Sequence, residues 1–559
     1  MKIVYLLLIT ISLLSANAHS LYQKIYWKKL LHVENDKSSV TSDEFFLSTR
    51  YNFSLKKELK TTLKLLRGSE GKAIACNFPA RYSWIKKHTN VPNYDLKSCK
   101  ELSHFMDTFQ KENLYLVFSS EYPNSPSSSF GHTMIAFKNN NIPLEVSDVI
   151  HFAAQTDNED FFTYSYKGLT GKFNSYFLRT SFFQKIYSYN IKEQRYIYAY
   201  KLNFSKEEIQ TIQYHLFELR KATFGYYFLN QNCASMLVDL LEISNENQPP
   251  KKMLFHLPID TIKFYQNRIQ KITKLSPLIS KINYLIHKMS KREKRDFLNI
   301  IKNNSIPSEN LSNITKETLV YYYKFLFRKY HQSYSNYQNV MQLTYKKSYI
   351  EDKSQNPLKN TQPSKVGIAY STKTLELNYM PLFIKYQDIQ KNPMQEVEFK
   401  LININLHLQE KNLSLENIDL VKVKSLPKQY SFYHPISWAF YFGFNHENHD
   451  NKLKFENSYG IGLTKELIPN ISTSFLLNTG FNLSRDGINA YLSPSFLIST
   501  YLDDDLKLGI ESQYKYYFSK EYYKHEFFIT HKIDKFNLSL KYQNESFDKK
   551  YSVGINYNY

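Results

Sequence analysis

The chain has 559 residues, with 72 Lys and Arg against 51 Asp and Glu, for a net charge of +21; this is too long for one ordinary domain and predicts two or three. Such an excess suits nucleic acid, an anionic membrane surface or merely a Lys- and Asn-rich composition, and no compact Arg-rich patch with interleaved aromatics occurs. The 47 Tyr and 40 Phe against 14 Gly favour surfaces that are wet at one end and apolar at the other.

The first 20 residues, "MKIVYLLLITISLLSANAHS", put a basic Lys2 before an apolar run from Ile3 to Leu14 and a small-x-small pattern at Ala16-Asn17-Ala18. This predicts a secretory signal peptide over 1–18. Export excludes nucleic acid as a partner, and no Cys follows the pattern to carry a lipid anchor. No later stretch offers the 18 or more uncharged apolar residues of a spanning helix, so a membrane attachment would have to use something other than a helix.

Residues 19–110 read as a mostly helical module. In "SLKKELKTTLKLLRG", Leu59, Leu63, Leu65 and Leu66 crowd one side and Gly68 is a stop. Three cysteines in an oxidising compartment leave an odd one. Cys76 and Cys99 sit in one segment, "CNFPARYSWIKKHTNVPNYDLKSC", and pairing them as a disulfide would leave Cys233 free. Taken alone, a free Cys is more often a buried inert thiol than a reactive one.

Residues 111–247 mix strands and helices. "LYLVFSS", "HTMIAF" and "IPLEVSDVIHFAAQ" read as strands, "SKEEIQTIQYHLFELRKA" and "NCASMLVDLLEI" as helices. Ser205 with Glu208 forms a capping-box signature. Residues 248–354 read as a basic helical adaptor, including "DTIKFYQNRIQKITKL", and the polar "YIEDKSQNPLKNTQPSK" separates it from the rest.

Over 366–559 strand-like runs alternate with short Asn/Asp/Lys turns, among them "VGIAYS", "EVEFKLININLHL", "WAFYFGFNH", "SFLLNTGFNL" and "YSVGINYNY". In the last, Tyr551, Val553, Ile555, Tyr557 and Tyr559 fall on one face, and Ser552, Gly554, Asn556 and Asn558 on the other. About a dozen such segments predict an antiparallel outer-membrane β-barrel of about 12 strands; a soluble sandwich or propeller is the alternative. His446 and His449 in "NHENHD" sit in a turn without other ligands nearby, so no metal is expected.

Cys233 begins the helix "CASMLVDLLE", whose buried face is Met236, Leu237, Leu240 and Leu241. A helix N-terminus favours the thiolate, which would lower the thiol's pKa. The candidate base is His132, at the head of the strand "HTMIAF" after Gly131, expected at a sheet edge open to substrate and able to take and return the thiol proton. Taken alone, His132 is more readily a structural residue. A third polar group commonly orients such a His, and the candidates are His151 first and Asp148 second. Asn232 or nearby backbone N–H groups would hold the oxyanion.

The pieces "SSSFGHTMIAF", "IHFAA", "GLTGKF" and "YYFLNQNCASMLVDLLE" resemble the family DUF4105, described as the N-terminal periplasmic domain of the Bacteroides-type lipoprotein N-acyltransferase (Lnb). The segment around Cys76 and Cys99 resembles a module that precedes it, and the C-terminus the barrel of longer members. The family is similar to the circularly permuted branch of NlpC/P60 thiol enzymes, in which His comes before Cys. The resemblance implies an α+β papain-like fold for the 111–247 domain. It also implies a Cys233 thioester that takes an acyl group from membrane phospholipid and passes it to an amine such as a lipoprotein N-terminus. No cofactor is implied, and the expected place is the outer membrane with the catalytic domain in the periplasm. A barrel as partner module departs from the acyltransferase's own architecture. Two other readings follow: a peptidoglycan amidase or peptidase of NlpC/P60 type, and a non-catalytic module beside a barrel.

Overall fold

The computed structural model describes residues 21–558 apart from 126–127, 157–159, 248, 251–254, 349, 351–353, 373, 381, 410–411, 447–452, 469, 485–486, 519 and 547. The signal peptide over 1–18, the turn residue His449, the side chain of His446 and Tyr559 lie outside the described residues. The chain divides into two compact units. One runs to Glu121 and resumes over Phe130–Leu275; the other combines Tyr122–Ser129 with the chain from Ser276 onward.

The first unit opens with helices α1 (Ile25–Leu30), α2 (Leu55–Arg67), α3 (Gly71–Asn77), α4 (Pro79–His88) and α5 (Lys100–Thr108). Ser54 caps α2 by accepting from Lys57 N at 3.3 Å. Leu59, Leu63 and Leu66 form its buried stripe, whereas Leu65 is half-buried. At ~100° per residue Leu65 falls about 120° round the helix from Leu59, which corrects its expected place. Buried Glu58 accepts from Leu47 N and Ser48 N at 2.9 and 2.8 Å. It also faces the equally buried Arg81 of α4 at 3.4 Å. A disulfide joins Cys76 to Cys99, with their Cα atoms 5.5 Å apart, and Cys233 is free and buried.

The chain continues through β1 (Asn113–Ser119), β2 (His132–Lys138), β3 (Asp148–Ala154), α6 (Phe161–Thr170), β4 (Phe173–Ser181) and α7 (Phe182–Lys185). Then come β5 (Ile197–Leu202), α8 (Lys206–Glu218), β6 (Phe224–Tyr226), α9 (Cys233–Glu242), α10 (Pro258–Phe264) and β7 (Ile269–Leu275). The strands pair in the order β6–β4–β3–β2–β1–β5–β7, every pair antiparallel. The predicted capping box forms at α8, with Glu208 N donating to Ser205 Oγ at 3.1 Å and Ser205 N to Glu208 Oε2 at 2.8 Å.

Two expected elements differ. In "IPLEVSDVIHFAAQ" the turn over Leu144–Val146 follows Pro143, and the strand starts only at Asp148. "DTIKFYQNRIQKITKL" is helical only to Phe264. Its second half, with β-branched Ile269, Ile272 and Thr273, is β7, which pairs Leu275 with Ile197 and Ile272 with Tyr200. The outer edge of β5 offers unpaired backbone groups, and this segment satisfies them.

One sheet face buries Tyr115, Val117, Met134, Ala136 and Val149 against Phe182 and Ile186. Alternation turns Thr133, Ile135 and Phe137 the other way. On that side α9 packs on β2 and β3, and α10 on β1 and β2.

In the second unit, helices α11 (Leu278–Lys288), α12 (Lys291–Asn303), α13 (Asn313–Tyr330) and α14 (Tyr334–Met341) precede the strands. Among the described residues no helix is long and apolar enough to cross a membrane. The strands are β8 (Lys365–Ser371), β9 (Thr374–Met380), β10 (Leu382–Ile384), β11 (Gln395–Gln409), β12 (Asn412–Gln429), β13 (Ser437–His446) and β14 (Leu453–Ile468). They continue as β15 (Ile471–Ser484), β16 (Gly487–Tyr501), β17 (Leu506–Tyr517), β18 (Glu521–Ile533), β19 (Phe536–Glu545) and β20 (Asp548–Asn558). β9 and β10 lie end to end along β11, and β8 pairs with both β9 and β20. The sheet therefore closes into an antiparallel barrel of 12 strands round the wall.

Tyr551, Val553, Ile555 and Tyr557 point outward, 66, 62, 44 and 38 % exposed. Across the closing pair Val553, Ile555 and Tyr557 meet Tyr370, Ile368 and Val366, and on the other side Leu540, Leu538 and Phe536. This continuous apolar row, on a sheet without edges, is what lipid requires of strands.

β12 had no counterpart among the strand-like runs of the sequence, because Asp419, Lys422 and Lys424 make it resemble a charged loop. Those side chains face the lumen, where Lys424 reaches Glu398 at 2.8 Å and Lys400 reaches Asp419 at 3.5 Å. A bulge between Asp419 and Val421 also breaks its alternation.

Candidate functional site

Cys233 is the first residue of α9. Asn232 before it is extended, and its Oδ1 accepts from Ala234 N at 2.9 Å and Ser235 N at 3.3 Å. Its Nδ2 donates to Phe228 O at 3.0 Å and His256 O at 2.7 Å. Both ends of the amide are thus committed to fixing the helix start. The side chain expected to hold an oxyanion thus has both its amide donors engaged at the helix start.

The "GLTGKF" motif supports the same turn. A Cβ on Gly168 would meet the Phe228 ring at 2.1 Å, and Phe228 N donates to Gly168 O at 2.9 Å. Only glycine lets α6 come this close to the loop leading into Cys233.

The sulfur is nearly inaccessible, with Cys233 2 % exposed. Burial pushes the thiol pKa up, outweighing the Thr133 backbone N–H and hydroxyl and the N–H groups of Cys233 and Ala234, which pull it down. The sequence expected the helix terminus to lower it. Desolvation of a charge beats the partial charge of a helix end when water is excluded.

Gly131 and His132 follow from local sterics. Gly131 has φ +97°, and a Cβ there would meet the Phe118 ring at 2.6 Å, so the entry to β2 needs glycine. β2 lies in the middle of the sheet rather than at an edge, which corrects the expected setting of His132. Pairing of β2 with β3 covers only Ile135–Phe137 against Asp148–Ile150. The His132 end is therefore open on that side.

The His132 ring lies 6.4 Å from that of His151 and 5.6 Å from that of Tyr189, centroid to centroid. Nε2 of both histidines is buried with no hydrogen-bond partner. Burial holds His132 well below the ordinary histidine range, helped by the charges of His151, Arg195 and Lys185. Burial and Lys185 push His151 down to about 3.

No hydrogen bond joins either imidazole to the sulfur. Alternation aims His132 at the Tyr189 side of the sheet, whereas α9 brings Cys233 up on the Thr133 side. The sulfur meets Thr133, the residue next to His132.

Asp148 does not belong to this cluster. It pairs with Arg179 at 2.9 Å and lies opposite Phe137, five residues along β2 from His132, about 17 Å at strand spacing. Sequence reasoning missed Tyr189, Arg195 and Lys185. Tyr189 sits in a π-helical turn, Ile186–Lys192, a distortion frequent at functional sites. Arg195 stacks on Tyr189 at 4.8 Å and donates to Ser120 O at 2.6 Å and Ser119 O at 3.1 Å. Nothing in "KIYSYNIKEQRY" distinguishes these residues from a polar connector. Among the described residues no group of three or more His, Cys, Asp or Glu is arranged to hold a metal ion.

Residues 101–268 match the family model described as the Lnb N-terminal periplasmic domain. Residues 19–88 and 364–559 match two families described as domains of unknown function, DUF7843 and DUF7840. No curated protein matches the chain. Among solved structures the chain is similar to the KdgM porin, at 12 % identity and a TM-score of 0.23, over 35 % of this chain and 99 % of that one. The NanC porin gives 8 % and 0.23 over 35 and 100 %. An outer membrane channel from Pseudomonas putida F1 gives 8 % and 0.24 over 38 and 100 %. The barrel itself stands on its strand pairing and its apolar outer face. Together with the periplasmic family match, these put the protein in the outer membrane with a periplasmic domain.

Proposed function

We propose that the periplasmic domain is a thiol enzyme of lipoprotein modification that moves an acyl group from phospholipid to an amine through Cys233. The observation that carries this reading is the company of the sulfur. A free cysteine at a capped helix start lies beside Thr133, with two imidazoles whose buried Nε2 atoms have no partner in the adjoining cluster. Buried polar atoms left without partners are rare and are common at catalytic sites.

In the proposed step the Cys233 sulfur adds to the ester carbonyl of a phospholipid as its proton passes to His132 Nε2. The tetrahedral oxyanion is met by backbone N–H groups at the start of α9. On collapse the C–O ester bond breaks, the leaving alkoxide takes the proton from His132, and a lysophospholipid departs from the Cys233 thioester. The amine then attacks the thioester, His132 accepts its proton, and the C–S bond breaks. The sulfur recovers that proton and an amide is released. His151 acts as the positioning residue for His132. This step requires substrate entry to turn the imidazole toward the sulfur, because without substrate the thiol is protonated and His132 packs against Tyr189.

Mass spectrometry of lipoprotein N-terminal peptides tests this, comparing cells that carry the wild type with cells that carry Cys233→Ala. Loss of one N-terminal acyl group in the variant is expected. Unchanged lipopeptides with altered muropeptides would replace acyl transfer by peptidoglycan cleavage, and no change in either would leave a binding module.

A further inference from the structure

The wall of 12 strands encloses a lumen that side chains of the wall alone do not fill. Between β10 and β11 the chain makes no tight turn; Lys385–Met394 runs into the lumen instead. Tyr386, 1 % exposed, packs against Leu426, Leu476, Leu497 and Phe528, inward residues of β12, β15, β16 and β18. The cluster that holds Tyr386 therefore draws on walls spread round much of the barrel.

Its polar groups are met by the wall as well. Asp388 pairs with Lys365 of β8, and the Gln387 amide donates to Glu526 of β18. Lys507 of β17 donates to the Tyr386 carbonyl and reaches Glu396 at 3.1 Å. Tyr501 Oη donates to Gln390 O at 3.0 Å. Ile389 is fully buried, and Thr361 N donates to Ile389 O at 2.8 Å. Asn537 of β19 in turn donates to Thr361 Oγ1 at 3.1 Å. Beyond this floor a cavity of about 500 Å³ remains, with Lys385 and Gln387 in its lining. Its wall charges are spent on one another: Lys424 reaches both Glu398 and Glu511 at 2.8 Å, and Lys400 reaches Glu398 at 3.3 Å.

We propose that the segment Lys385–Met394 is a plug that seals the barrel at the end where the chain enters β8, making the barrel a membrane anchor rather than a pore. The chain before β8 carries the periplasmic domain, so the sealed end faces the periplasm. A loop-plugged lumen is one of the two states known for such barrels, the other being a water-filled channel.

The test is electrical. Full-length protein is inserted into planar bilayers of phosphatidylethanolamine and phosphatidylglycerol in molar KCl. Two variants are compared with it: residues 385–391 replaced by a Gly/Ser segment of equal length, and the milder pair Tyr386→Ala with Asp388→Ala. Barrel folding of each is checked by its heat-dependent shift in gel mobility. The wild type is expected to insert without conductance steps, and both variants to show steps. Steady conductance from the wild type would overturn the proposal, as would silence from either variant that keeps the wild-type gel shift.

Discussion

The rings of His132 and His151 meet edge to face, 6.4 Å apart, and the Nε2 of each is buried with nothing to bond. An unsatisfied buried polar atom costs about 1–3 kcal/mol. The fold tolerates two of them in one cluster, and the consequences are measurable.

Both imidazoles are held below the ordinary range, His151 at about 3. The unfolded chain protonates them near ~6.5, so between the two values it binds more protons than the folded state. Stability is therefore intact above about pH 6.5 and is lost as pH falls toward 3, by up to about 1.4 kcal/mol per unit for each histidine. Hydrogen exchange of β2 and β3 in the detergent-solubilised chain should lose protection across this window. His151→Asn should make the slope shallower; an unchanged slope would assign the loss to other groups.

The Cys233 thiol, raised by burial, should react with a chloroacetamide probe at a rate that climbs with pH to a midpoint above that of an ordinary cysteine. It should not plateau in acid as a preformed thiolate–imidazolium pair does. At neutral pH, His132→Ala should change probe labelling little, because the imidazole packs against Tyr189 until substrate enters, whereas thioester formation with phospholipid, read by intact-protein mass spectrometry, should be lost. Asp148→Asn should leave thioester formation unchanged, because Asp148 serves Arg179 at the far end of β3. Equal thioester formation by wild type and His132→Ala would remove the base from the mechanism.

Asn232→Ala removes a cap worth about 1 kcal/mol and strands the carbonyls of Phe228 and His256, at about 1–3 kcal/mol each. Limited proteolysis should cut near Cys233 earlier than in the wild type. Asn232→Asp, which keeps the two acceptor contacts but loses both donations, should fall between the two. A wild-type cleavage pattern in Asn232→Ala would show that other contacts hold the turn.

On the barrel, Ile555→Arg puts a charge on the outward row between Ile368 and Leu538 and should cost about 2–4 kcal/mol if that row lies at mid-bilayer. Asn556→Ser, one residue along and facing inward, should cost far less. Urea unfolding in lipid vesicles, followed by tryptophan emission, separates the two. Equal effects would mean that the outer face does not meet lipid.

Legibility in the sequence followed the range of the interaction. Tyr551 to Tyr557 showed their outward face because alternation is a property of adjacent residues, and Ser205 with Glu208 showed a cap within one turn. β12 was hidden by Lys422 and Lys424, whose partners Glu398 and Glu511 are remote in the chain. β7 looked helical until the edge of β5 supplied its ladder. Cys233 and His132 stood out as residue types at element starts. Tyr189, Arg195 and Lys185 carried no local mark.

By itself the sequence determined the outward apolar rows of the barrel, the glycine before His132 and the capping box of Ser205 and Glu208, because each depends on backbone sterics or on periodicity within a few residues. Only the tertiary structure decided that the thiol pKa rises rather than falls, that His132 and the sulfur approach from opposite faces, that Asn232 has no donor to spare, and that Tyr386 blocks the lumen. Desolvation and hydrogen-bond satisfaction depend on which distant segments exclude water from one another, and no stretch of a few residues encodes that.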